Sequence, residues 1–209
     1  MQNITDPEAW KLYPQHHKWF NKLYIAELEG YACGPSGVAP IISTDYIIKP
    51  TYNLSGMGIG ARVEYIEAGD CSKVEPGYFW CEYLLGNHYS VTYTWDSYWK
   101  VLHTYQGFND KKCFTKFYKW VKVDNPISAP DYLNCLSDVS IINVEYKENK
   151  PFEVHLRGTP DPEVSEMIPI WQSTRNLIDS YYLKGYVFVK SFDNANSLLK
   201  DARLGFMVK

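Results

Sequence analysis

Lys49 ends a short apolar run, Tyr46-Ile47-Ile48, and is followed by the turn Ser55-Gly56-Met57-Gly58-Ile59-Gly60. Glycines at alternate positions 56, 58 and 60 free the backbone to bend, so that N–H groups can approach an anion closely. A lysine ahead of the turn adds a fixed positive charge beside that cradle. No Gly-Lys-Ser/Thr follows the glycines and a strand rather than a helix comes next, so the segment is neither a P-loop nor a dinucleotide-binding fingerprint. Taken alone, it reads as a phosphate cradle or as a flexible hairpin loop.

Glu145, Glu153, His155 and Arg157 form a second constellation. On a strand, positions 153, 155 and 157 point to one face, because side chains alternate with period two. With the turn between the two strands centred near Asn149, Glu145 lies opposite Glu153 across a hairpin. Like charges directly opposite destabilise a sheet unless something neutralises them. A bridging divalent cation would do so, and hard oxygen donors suit Mg²⁺. The competing reading is a solvated sheet face on which Arg157 pairs with Glu153. A third segment, Glu82-Tyr83-Leu84-Leu85-Gly86-Asn87-His88, reads by itself as a strand end and a turn.

The elements that must carry these residues are mostly strands. Pro7 after Asp6 predicts a helix start with Asp6 as its N-cap, and Trp19, Leu23, Ala26 and Leu28 extend helical spacing to Gly30. Gly34-Pro35-Ser36-Gly37 reads as a loop. Strands are predicted from Asp45 to Lys49, 61–66, 77–85, 89–95, 99–105, 114–123, 140–146, 151–156, 186–189 and 204–208. Helices are expected at Ser128-Ala129-Pro130-Asp131 and from Pro169 to Tyr182. The class is α+β with mostly antiparallel sheets.

Composition removes several alternatives. With 209 residues, 45% hydrophobic and 22% charged, the chain is globular rather than disordered. A net charge of -3 argues against a dedicated nucleic-acid binder. Lys111, Lys112, Lys116, Lys119 and Lys122, interleaved with Phe114, Phe117, Tyr118 and Trp120, accordingly read as the wet face of an amphipathic strand. Five cysteines without a Cys-x-x-Cys pair read as reduced core fillers, and His16-His17 as surface. The start is neither basic nor apolar, and no window approaches the roughly 18 apolar residues of a membrane span, so a cytoplasmic protein without membrane contact is expected. The 7 Trp, 18 Tyr and 9 Phe mostly build core, but they also permit an aromatic groove for a carbohydrate or single-stranded nucleic acid.

Taken in order, the three constellations resemble the ATP-grasp family. Lys49 to Val63 looks like that family's strand, lysine and phosphate-covering glycine loop; Glu82-Tyr83-Leu84-Leu85 like its adenine-holding hinge; Glu145 with Glu153-Val154-His155-Leu156-Arg157 like its metal-binding pair and E-x-N-x-R strand. The resemblance covers residues 18–158. It implies two small α+β lobes enclosing a nucleotide cleft: residues 1–44 as N-terminal helix and linker, 45–85 as glycine-loop lobe, 86–209 as metal-binding lobe, together one compact unit. It implies ATP with Mg²⁺ or Mn²⁺ as cofactors. Lys22 (or Lys18), Lys49, Ser55, Gly56, Met57, Gly58, Gly60, Glu82, Tyr83, Leu84, Leu85 and His88 would bind the nucleotide. Glu145, Glu153 and His155 would bind the metal, and Arg157 with Lys49 would act on the transferring phosphoryl group. The implied activity is ligation through an acyl phosphate attacked by an amine or thiol, on a small carboxylate or a peptide or protein carboxylate.

His155 stands where the family usually has Asn, and imidazole is a poorer Mg²⁺ ligand than an oxygen donor. His88 stands where a ribose-binding Glu is frequent. The family's N-terminal substrate domain has no counterpart in the 44 residues before the first family-like strand, so a partner chain or second copy is expected to complete the substrate pocket. These departures also motivate a non-catalytic nucleotide-binding or scaffold protein of the same fold.

Overall fold

The computed structural model describes residues 4–110, 114–191 and 198–209. Two helices open the chain, α1 (Asp6–Leu12) and α2 (Lys22–Leu28), with a 3-10 segment at Pro14–Phe20 between them. Where the spacing predicts one longer run, Pro14 withdraws a backbone donor and divides it. Asn21 then caps α2, accepting the Tyr24 N–H at 3.0 Å. Thr5, not Asp6, caps α1, and the Glu8 carboxylate accepts the Thr5 N–H at 2.6 Å. The pattern Thr5-x-x-Glu8 is a capping box, legible in the sequence.

Four strands, β1 (Cys33–Pro35), β2 (Thr44–Pro50), β3 (Arg62–Ile66) and β4 (Tyr78–Glu82), form one sheet in the order β1-β4-β2-β3. The segment read as a loop at Gly34-Pro35 therefore contributes an edge strand. A second sheet comprises β5 (His88–Trp95), β6 (Trp99–Asn109), β7 (Phe117–Val123), β8 (Ile141–Lys147), β9 (Lys150–His155), β10 (Glu166–Trp171), β11 (Val187–Lys190) and β12 (Arg203–Val208). Its order is β11-β12-β10-β7-β6-β5-β8-β9, and the pairs in both sheets are antiparallel. The fold is α+β.

Residues 166–171 are strand where Pro169 predicts a helix start; only residues 172–177, a 3-10 segment, and α3 (Ile178–Tyr182) are helical. Glu166 exchanges both backbone hydrogen bonds with Lys209, each at 3.1 Å, so the odd positions of β10 turn their nitrogens towards β7. Pairing with β7 ends at Met167. Pro169 therefore gives up no ladder bond. The segment from Asp131 to Leu136 is also a 3-10 helix.

Period-two alternation divides the large sheet into two chemically different faces. Tyr89, Val91 and Tyr93, Ile142, Val144 and Tyr146, and Val154 and Leu156 join Trp19, Phe20, Ile25, Leu133 and Leu136 in the main core. The residues between them, among them Ser90, Asn143, Glu145, Glu153 and His155, line the opposite face of the sheet, which borders a cleft. No helix among the described residues is long and apolar enough to cross a membrane.

Candidate functional site

A cleft of about 280 Å³ opens between the two sheets. From the small sheet come Ile47, Lys49, Cys81 and Glu82; from the large one His88, Asn143, Glu145, Glu153 and His155; the turn Ser55-Gly56-Met57-Gly58 and the connection Tyr83-Leu84 complete that end.

Two β-bulges fill the cleft with rings. On β9, Tyr146 opposes Pro151 but Glu145 opposes Glu153, so Phe152 is the extra residue and turns to the cleft beside Glu153. On β7, Asn109 opposes Phe117 and Phe108 opposes Lys119, which makes Tyr118 the extra residue. The shift places Phe117 on the same side as Trp120, with ring centroids 4.3 Å apart. His88 lies among these rings, 4.8 Å from Phe117, 5.5 Å from Trp120 and 5.4 Å from Phe152.

The charged groups fall into a chain of contacts. α2 begins beside the end of β2, with Lys22 N–H donating to Thr51 O at 2.9 Å, so Lys22 and Lys49 both reach the cleft. Lys22 Nζ lies 2.8 Å from Glu153 Oε1. Burial works against the Glu153 charge, but Lys22 and His155 outweigh it and hold the carboxyl below its usual range. His88 Nε2 donates to Glu145 Oε2 at 2.5 Å. The cross-strand carboxylates thus have a lysine and a histidine as their partners.

Asp6 closes the other end of the chain of contacts. Its carboxylate accepts from Arg157 Nε at 2.8 Å, Arg157 Nη2 at 2.7 Å and His155 Nδ1 at 3.0 Å. His155 Nε2 lies 3.5 Å from Glu153 Oε1. Burial lowers the His155 pKa, but Asp6 and Glu153 raise it further, to a net value above the usual imidazole range. Carboxylates beside both nitrogens favour the protonated ring, and a protonated imidazole has no lone pair to offer a metal. Among the described residues no group of three or more His, Cys, Asp or Glu side chains could hold a metal ion. The sequence-based trio therefore reduces to two candidate ligands, Glu145 and Glu153.

Lys49 differs from its neighbours. It is buried, its ammonium lies 5.4 Å from the Phe79 ring centroid and 5.2 Å from that of Phe152, and no carboxylate among the described residues is in ion-pair contact with it. Burial, with the nearby Lys22 charge added, pushes its pKa below the usual lysine range.

No protein-family model and no curated protein matches the chain. Solved structures do. N5-carboxyaminoimidazole synthetase from Staphylococcus aureus, complexed with ADP, superposes with a TM-score of 0.55 at 12% identity, over 98% of this chain and 73% of that one. The ADP complex of an N5-carboxyaminoimidazole ribonucleotide synthetase gives 0.52 at 11% identity, over 92% and 68%. The chain has the ATP-grasp fold. It spans 65% of an ATP-grasp superfamily protein from Archaeoglobus fulgidus, matched at TM-score 0.47 and 12% identity over 92% of this chain.

Within that fold, Lys22, Lys49, Ser55, Gly56, Met57, Gly58, Glu82, Tyr83, Leu84, His88, Glu145, Glu153, His155 and Arg157 line one cleft. Gly60 and Leu85 lie off its lining: a Cβ on Gly60 would meet Tyr78 Oη at 2.8 Å, and Leu85 is 73% exposed. Lys18 is also outside it, over the Trp19 and Tyr24 rings. Lys116, Lys119 and Lys122 pair with Asp201, Glu166 and Glu163, but they do not share one strand face: Lys116 precedes β7, and the register puts Lys122 on the side of Trp120 and Lys119 on the other; Lys111 and Lys112 lie outside the described residues. Sequence reasoning missed Asp6, Phe152 and the Phe117–Trp120 wall. The capping box would have released Asp6 from its supposed cap role, but no local signal marks either bulge.

Proposed function

We propose that the chain binds ATP in this cleft and uses it, with Mg²⁺, to activate a carboxylate for ligation. The observation that carries the reading is Lys49, a buried ammonium with no carboxylate partner among the described residues, facing the same cleft as the glycine turn, Lys22 and two opposed carboxylates. A buried unpaired cation is costly, and an anion is what relieves it. In this reading Lys49 and Lys22 hold phosphate oxygens under the 55–58 turn, and Tyr83 and Leu84 border the base. Glu145 and Glu153 would hold Mg²⁺, whose hard-oxygen preference fits two carboxylates completed by phosphate and water. The ion would neutralise charge on the transferring phosphoryl group.

In the first step a substrate carboxylate oxygen attacks the γ-phosphorus. The bond to the bridging oxygen breaks, and ADP leaves with its electron pair. An amine then attacks the acyl carbon, phosphate departs, and the amine's proton passes to solvent. Arg157, with N–H groups not taken by Asp6, would steady the phosphoryl oxygens through charge-assisted hydrogen bonds.

The test is melting temperature with and without Mg·ATP. Ligand at a hundred times its Kd adds about 2.7 kcal/mol, a rise of about 5–10 °C for a chain of this size. No rise at millimolar nucleotide would remove the proposal. A non-catalytic nucleotide-binding role is favoured by one observation, the clamping of Arg157 and His155 onto a buried carboxylate. An ADP-release assay over a panel of carboxylates and amines, run on protein shown to bind nucleotide, separates the two.

A further inference from the structure

The N-terminal helix places one carboxylate in the cleft. Asp6 is 4% exposed and grips Arg157 through two nitrogens while also receiving His155. Arg157 Nη1 donates to Gly158 O at 2.9 Å. Three of the five guanidinium N–H groups are therefore committed and the plane of the fork is fixed, with one N–H left on each terminal nitrogen. Released from Asp6, Arg157 would be drawn towards the other carboxylates it feels, Asp161 and Glu145. It would then compete for Glu145 with whatever that carboxylate is to bind.

We propose that Asp6 is a positioning residue for the triphosphate end of the cleft: it holds Arg157 off Glu145 and orients the guanidinium towards the terminal phosphate. The inference rests on the nucleotide reading above. It gives α1 a role beyond covering the core: residues 5 and 6 become part of the site. The alternative is that Asp6 only pins α1 to the sheet, and the two differ in a measurable ratio. A pin affects the stability of the whole chain and all nucleotides alike; a positioning residue affects those with a terminal phosphate.

The experiment measures binding of Mg·AMP-PNP, Mg·ADP and AMP to the full chain by calorimetry, for the native sequence, Asp6→Asn and Asp6→Glu. The expected result is a loss of about tenfold in AMP-PNP affinity for Asp6→Asn, the size of one charge-assisted hydrogen bond. AMP affinity should stay within about twofold, and Asp6→Glu should recover most of the loss. A folded Asp6→Asn protein with an unchanged ratio of AMP-PNP to AMP affinity overturns the proposal and leaves the pin. If Asp6→Asn shows no cooperative melt, Arg157→Lys decides, because it keeps the charge and loses the fork: a reduced ratio supports positioning, an unchanged one overturns it. A native protein that binds none of the nucleotides fails at the earlier step, and the positioning role falls with it.

Discussion

The Lys49 ammonium lies 5.2 Å from the centre of the Phe152 ring, and Phe152 faces the cleft because it is the extra residue of a bulge. The strand irregularity and the buried charge belong to one arrangement. The rings give the ammonium a favourable face to rest on, but cation–π attraction offsets only part of the cost of burying it.

Replacing Lys49 with Met should therefore stabilise the protein by about 0.5–2 kcal/mol while lowering Mg·ATP affinity at least about tenfold. The gain depends on pH. The unfolded lysine keeps its proton up to about pH 10.4, whereas burial makes the folded one release it at lower pH. Between those values the unfolded native-sequence chain binds more protons, so native stability rises with pH and the advantage of Lys49→Met shrinks. Urea melts across that range would show it. A less stable Lys49→Met protein with unchanged nucleotide affinity would contradict both halves.

The Lys22–Glu153 pair predicts a different pattern. Glu153→Gln leaves the Lys22 ammonium buried without its counter-charge and should cost about 3 kcal/mol. Lys22→Met combined with Glu153→Met should recover much of that loss, which a double-mutant cycle measures. Mg²⁺ alone should bind weakly to the native chain, because Lys22 and His88 already occupy the carboxylates. Strong Mg²⁺ binding without nucleotide in titration calorimetry would rule out this competition.

Two glycines of the cleft turn make an internally controlled comparison. Gly56 has φ +69 and open space where a Cβ would go, whereas Gly58, at φ +60, would place a Cβ 2.6 Å from Phe114 O. Gly56→Ala should carry only the left-handed backbone penalty, about 1–2 kcal/mol. Gly58→Ala adds displacement of the turn from residue 114, so it should melt lower and bind Mg·ATP more weakly. Equal effects of the two substitutions would show that the Phe114 contact is immaterial.

Cys33 and Cys81 are register partners on β1 and β4. Their neighbours Glu82 and Ala32 carry the ladder bond, Glu82 N–H to Ala32 O at 2.7 Å, so the cysteines form a close, non-hydrogen-bonded pair. Hydrogen peroxide should join them, two thiols and one peroxide giving a disulfide and two waters. Burial pushes the Cys81 thiol up to about 12, so the reaction should be slow at neutral pH and quicken as pH rises. Peptide mapping should find a Cys33–Cys81 link and melting should show a gain of about 2–4 kcal/mol. Peroxide-treated protein with both thiols still alkylatable would refute the pairing.

The sequence by itself determined the class of the fold, through apolar runs with period two, and the order of the lysine, the glycine turn and the opposed glutamates. These features are local: glycine spacing fixes where the backbone can bend and a short turn brings two strands side by side, whereas the bulge at Phe152 is what sets Glu153 rather than Phe152 opposite Glu145. The tertiary structure decided what those groups touch. Asp6 lies 151 positions from Arg157 in the chain yet binds it through both carboxylate oxygens. Lys22 and His88 contact the two carboxylates where the sequence reading placed a metal. Such partners are selected by electrostatics between groups that packing brings together, and an interaction with no local term leaves no periodic trace. The bulges at Phe152 and Tyr118 escaped for a related reason: one extra residue inverts the facing of everything beyond it, and only the partner strand reveals the miscount.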